Sequence, residues 1–195
     1  MPTKKPHHHG NLRAALIQAG LDLIQSEGPD ALSIRKVAAM AGVSHAAPAH
    51  HFPSLAHLRT AVVAEGYRRF TASMEAAIAE ADGTPRDVVL AACLGYLRFA
   101  WAYSGVFSLM FGPNVHGHDD PDLRDASDAA YGVLVRICGP FAKDDAVQTE
   151  LTVWSLVHGY ASLAVAGNRR LEPGEAAEAV FRGMFAKLDL GAAEA

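Results

Sequence analysis

Cysteine is nearly absent from this 195-residue chain, which holds only Cys93 and Cys138. That excludes a disulfide framework and an all-cysteine zinc site, and it fits two buried free thiols in a reducing compartment. Aromatic residues make up 8% and charged residues 19%, against 50% hydrophobic, a balance for a packed core rather than disorder. There is no evident nucleophile–base pair, carboxylate dyad or glycine-rich phosphate loop, so catalysis has no positive support. Long apolar runs are missing too. Residues 99–118 and 151–168 carry no Asp, Glu, Lys or Arg, but Ser104-Gly105 and Gly112-Pro113 break the first. Thr152, Ser155, His158, Ser162 and Asn168 interrupt the second. Neither suits a membrane span; both are expected as helices buried in protein. The N-terminal MPTKKPHHHG is basic but lacks the apolar segment of a secretion signal, so a cytoplasmic location is expected.

What is present is unevenly placed. Residues 1–70 carry eight Lys/Arg against four Asp/Glu, a net +4, leaving −8 for the rest of a chain of net −4. Seven of the ten histidines also fall in this first segment. A basic head on an acidic body is the layout expected where only the head meets phosphate.

The head centres on Ser33–Phe52. Ser33 is an N-cap residue, and Ile34, Val37, Ala38 and Ala41 follow at one-face helical spacing. Arg35 and Lys36 lie off that stripe. Gly42 stops the helix, and Ser44 can cap a second helix of about two turns, to His51. This reads as a helix-turn-helix. Its second helix is slim, with Ala46, Ala47 and Ala49 between His45, His50 and His51, and a slim polar helix can enter a major groove. A plain helical hairpin fits the pattern alone equally well.

The remaining punctuation predicts an all-α chain of about nine helices. Residues 11–27 form the first, with Leu12, Ala15, Leu16, Ala19 and Leu23 buried, and Gly28-Pro29 ends it. Ser54 caps a long helix to about residue 81. Thr84-Pro85 opens another, to about Tyr103, and a short one covers 104–111. Asp120-Pro121 begins a helix that ends at Cys138. The next, from about 145 to 166, is apolar nearly all round and so needs two packing partners. Pro173 opens the last, with Ala177, Val180, Phe181, Met184, Phe185 and Leu188 as its stripe. The second partner of these last two helices is expected to be the same pair in a second copy, in a four-helix bundle. Leu156, Leu163, Val180 and Met184 are the candidate contacts.

Residues 11–70 resemble the DNA-binding head of the TetR family of bacterial transcriptional regulators. The resemblance rests on Ala14-Ala15, Gly28, Ser33-Ile34-Arg35, Val37-Ala38, Ala41-Gly42-Val43-Ser44, His51-Phe52-Pro53-Ser54 and Leu58. His8–Arg13 and the Trp154, His158, Gly159 set are similar to one branch of that family with a Trp-His-Gly signature. The resemblance implies a flexible arm at 1–10, a head at 11–53 that continues to about 70, and a ligand-binding and dimerising body at 54–195. It implies a homodimer, a double-stranded DNA operator, a small apolar or amphipathic effector, no cofactor and a nucleoid-bound bacterial repressor. Lys4, Lys5, Arg13, Ser33, Arg35, Ser44, His45, Ala46, Ala47, His50 and His51 are then the DNA-facing candidates. Tyr96, Phe99, Tyr103, Phe107, Phe111, Tyr131, Trp154 and His158 are the candidates for a ligand pocket.

The sequence departs from the family pattern where Ala49 replaces an expected aromatic residue and Leu55 an expected lysine, both phosphate contacts. Pro48 also removes an N–H near the start of the second motif helix. Weaker DNA binding than is usual for the family is the expected consequence. Two other readings compete. One is a metal-binding protein using His7–His9 or His116, His118 and Asp119, although that loop lacks an obvious fourth ligand. The other is a helical enzyme with an apolar substrate.

Overall fold

Ser33 opens the second helix as its sequence predicts. In the computed structural model, which describes residues 12–112, 119–141, 145–168 and 171–193, its backbone is extended and its hydroxyl accepts from the Lys36 amide at 3.3 Å. The first helix, α1 (Leu12–Glu27), and this second, α2 (Ile34–Met40), pack through Leu16, Leu23, Val37 and Ala38, all buried. Ala15, expected on the buried stripe, is exposed; Ile17, Gly20, Leu21 and Ile24 widen the covered face instead, because α1 touches both α3 and α5 below. Gly42 ends the turn after α2 with φ +68°, its N–H on Ala39 and that of Val43 on Ala38. This Schellman arrangement satisfies two carbonyls, and its left-handed residue favours glycine.

The expected helix over 44–51 is not an α-helix. Only Ala47–His50 winds, as a single 3-10 turn. Pro48 is the physical reason: it has no N–H to return to Ser44, and its ring disfavours the α conformation at Ala47. The Ser44 hydroxyl makes no cap; the Ser44 carbonyl accepts from Ala47 at 3.1 Å. The described residues therefore hold eight α-helices, with no strand, rather than about nine helices.

The other six are α3 (Leu55–Ala79), α4 (Pro85–Ala102), α5 (Ser104–Met110), α6 (Pro121–Cys138), α7 (Ala146–Val165) and α8 (Glu175–Phe185). Ser54 precedes α3 as expected but its hydroxyl makes no cap, and α8 starts at Glu175 rather than at Pro173; the starts of α4, α6 and α7 follow the sequence. Thr84 and Asp87 cap each other reciprocally at α4. Asp120 accepts from Leu123 at 3.0 Å, and Asp145 from Gln148 at 2.9 Å. Helix α3 is the spine, packed on α1 at one end and on α4 and α6 along its length. It approaches α4 closely at Gly95, where an added Cβ would lie 2.5 Å from the Ser73 carbonyl oxygen. The Ser73 hydroxyl donates to the Gly95 carbonyl there, at 2.8 Å.

Candidate functional site

Two regions carry the candidate residues. The first is the outer face of the head. Arg35, Ser44, His45, Ala46 and His50 are exposed, and Ala47 and His51 are half-buried. Pro48 and Phe52 are buried and anchor the 3-10 turn to the core. Ser33 spends its hydroxyl on the α2 cap. Lys36 pairs with Glu27 at 2.7 Å. His57 lies beside this face in the first turn of α3, exposed, with Nδ1 2.8 Å from the Ser54 hydroxyl. It was not among the candidates; its i, i+3 spacing from Ser54 was the available signal.

Arg13 is turned toward the body. Its guanidinium lies over the Phe52 ring at 5.6 Å and 3.8 Å from the Asp122 carboxylate of α6. Asp122 also binds Arg68 of α3. Lys4, Lys5, His116 and His118 lie outside the described residues, and Asp119 is exposed. Among the described residues no three His, Cys, Asp or Glu side chains form a metal-binding group.

The second region is a cavity of about 240 Å³ inside the body. Tyr67, Phe70 and Met74 of α3 form one wall, and Ala92, Cys93 and Tyr96 of α4 another. Helix α6 supplies Ser127, Asp128, Ala130, Tyr131, Leu134 and Ile137; α7 supplies Val153, Trp154 and Val157; Phe111 follows α5. The helical repeat explains the set: 153, 154 and 157 share one face of α7, as 127, 130, 131 and 134 share one face of α6.

Of the eight pocket candidates, Tyr96, Phe111, Tyr131 and Trp154 line this cavity. His158 stands behind them, its Nδ1 2.7 Å from the Tyr96 hydroxyl and its ring 4.8 Å from that of Phe111. Phe99, Tyr103 and Phe107 do not line it. Phe99 is buried against Phe70, Phe107 against Tyr96 and Phe111, and Tyr103 ends α4 under the Arg69 guanidinium. Met74, Ala130 and Leu134 were missed, since aliphatic residues at helical spacing look the same whether they fill a core or line a hollow.

Burial lowers the His158 pKa and raises that of Tyr96, so at neutral pH both are uncharged and one donates to the other. The Tyr131 hydroxyl donates to Glu150 at 2.5 Å, and this bond raises its pKa. Cys93 is raised by burial alone for the most part, and Cys138 is pushed up to about 11 by burial and the charge of Glu150. Neither thiol is poised as a nucleophile. Chemically the cavity can hold an apolar body and a few polar groups.

The outer face of α7 and α8 is apolar and open. Leu163, Val180 and Met184 are exposed and Leu156 half-buried. Gly159 and Gly183 lie between them, each with open space where a Cβ would point. Among the described residues no single helix is long and apolar enough to cross a membrane.

Comparison with known proteins assigns the family. Residues 16–62 match the bacterial regulatory proteins of the tetR family, and residues 89–188 match the tetracyclin repressor-like C-terminal domain. The chain belongs to the TetR family of transcriptional regulators, which are ligand-responsive DNA-binding proteins. Its fold is similar to that of a protein of unknown function from Rhodococcus sp. RHA1, at 31% identity and TM-score 0.79, covering 94% of this chain and 96% of that one. It is similar also to the TetR family transcriptional regulator PfmR from Thermus thermophilus, at 20% identity and TM-score 0.62, over 88% and 94% of the two chains. The transcriptional regulator FadR from Bacillus subtilis, solved in complex with stearoyl-CoA, shares the fold at 12% identity and TM-score 0.69, over 89% and 95%. No curated protein matches significantly.

Proposed function

We propose that this regulator is a homodimeric repressor whose grip on its operator is set by a small apolar or amphipathic molecule in the body cavity. One observation carries the reading: α3 is a single helix shared by both regions. Its first half buries Leu58 and Val62 in the head, and its second half presents Tyr67, Phe70 and Met74 to the cavity. At 1.5 Å per residue such a 25-residue helix spans about 37 Å without a hinge. A ligand that favours one position of the α3 wall therefore favours one position of the head, provided it binds the two states unequally.

The exposed Leu163, Val180 and Met184 on α7 and α8 support pairing with the same face of a second copy. The pair would present two heads to successive major grooves, about 34 Å apart. Arg35 and the serines would hold phosphate, and His45, Ala46, Ala47 and His50 would face base edges.

Footprinting of the full-length protein on DNA flanking its own gene tests this. Two protected half-sites one helical turn or a multiple apart are expected, with protection lifted by a compound that also changes Trp154 fluorescence. Protection of a lone half-site, or protection indifferent to every cavity-binding compound, would contradict it.

A further inference from the structure

The cavity is charged at one end only, and with one sign. Among the described residues lining it, Asp128 is the single charged side chain, at the exposed mouth on α6. Among the described residues no lysine or arginine lines it. On α7, Glu150 lies on the face that carries Val153, Trp154 and Val157, one turn before them. It does not line the cavity. It sits behind Tyr131, which does, and is only 7% exposed.

The structure gives Glu150 one hydrogen bond, from the Tyr131 hydroxyl at 2.5 Å, and no ion pair among the described residues. A carboxylate offers about four acceptor positions, and one taken from water is costly unless paired. Its charge is felt at the neighbouring Cys138 thiol. Donation to Glu150 leaves the Tyr131 oxygen electron-rich, with a lone pair still able to accept. The Tyr131 ring meets that of Trp154 at 6.3 Å, edge to face, so two aromatic rings flank the same spot. Rings beside carboxylates attract cations; among the described residues that line the cavity no basic side chain would neutralise an anion.

We propose that the effector is an amphiphile with a cationic amine, its apolar body against Phe70, Met74 and Phe111 and its ammonium at the Tyr131–Trp154 end. There the Tyr131 oxygen accepts from it, with Glu150 behind and Asp128 at the mouth. This rests on the regulator reading above and narrows it to a charge class. It sets the chain apart from any relative whose effector is an acid.

The test uses octylamine, octanol and octanoate, which share a tail and differ in head group, titrated calorimetrically into the full-length protein. The amine is expected to bind at least about tenfold tighter than either partner, a difference of about 1.4 kcal/mol. Glu150→Gln is expected to remove most of that advantage and leave octanol within about twofold of its wild-type affinity. Asp128→Asn, at an exposed position where the fold is expected to be kept, is the second variant and should act in the same direction. Octanol or octanoate binding as tightly as the amine would overturn the charge assignment and leave the cavity reading standing. Failure of all three to bind at millimolar concentration would overturn both.

Discussion

The Tyr96 hydroxyl and the His158 Nδ1, 2.7 Å apart, join α4 to α7 across an otherwise apolar wall. His158 sits among Phe107, Phe111 and Trp154, and this burial is what lowers its pKa. Its ordinary value of 6.5 applies in the unfolded chain, so between 6.5 and the lower folded value the unfolded state binds more protons. Stability is complete above that window and falls as pH drops through it. The melting temperature of the wild type is therefore expected to fall more steeply between about pH 7 and pH 5.5 than that of His158→Gln. Parallel pH profiles for the two proteins would contradict this.

The α3–α4 crossing makes a second prediction. Gly95→Ala would push a methyl group against the Ser73 carbonyl and the Met74 Cα, 2.5 and 2.8 Å away. These are backbone atoms and cannot swing aside. A loss of about 1–3 kcal/mol is expected, read as a lowered midpoint in urea with an unchanged slope. An unchanged midpoint would mean that the helices separate freely at this point.

Gly159 and Gly183 have open space beside them, on the faces that expose Leu163, Val180 and Met184. Small residues there would let a second copy of the proposed dimer approach closely. Leu163→Lys combined with Val180→Glu is expected to leave the helix content intact and shift the mass in solution from dimer to monomer. DNA affinity should fall with it, since one head contacts half an operator. A double variant that remains dimeric would place the interface elsewhere.

Arg13 was a phosphate candidate in the sequence, but the structure holds it 3.8 Å from Asp122. Each phosphate contact contributes about 0.9 to the slope of affinity against salt. Arg13→Ala is expected to leave that slope unchanged, whereas Arg35→Ala should reduce it. A reduction near about 0.9 per protomer for Arg13→Ala would show that Arg13 leaves Asp122 for DNA.

Ala49 is exposed within the 3-10 turn, so a larger side chain fits there. Ala49→Tyr is expected to tighten DNA binding about fivefold, the worth of one added hydrogen bond of about 1 kcal/mol. No gain would mean that the turn at Pro48 holds this position away from the backbone.

Much of this was legible because the helix boundaries are written in chemistry that acts locally. Ser33, Thr84-Pro85, Asp120-Pro121, Asp145 and Gly42 each act within a few residues, and each does in the structure what its type predicts. The 44–51 segment departs from its helical pattern because one missing N–H, at Pro48, is a large share of the hydrogen bonds in an element so short. Pocket residues were half legible. Tyr96, Phe111, Tyr131 and Trp154 face the hollow while Phe99, Tyr103 and Phe107 fill the packing around it, a choice made by the angles between helices. The pairing of Tyr131 with Glu150 spans two helices and had no signal in the sequence at all.

The most direct test of the central claim is the affinity of the protein for DNA upstream of its own gene, against random DNA, at two salt concentrations. The account predicts a preference of about a thousandfold or more, retained at the higher salt. Equal affinity for both DNAs, lost together as salt rises, would contradict it and leave the head as a non-specific phosphate surface.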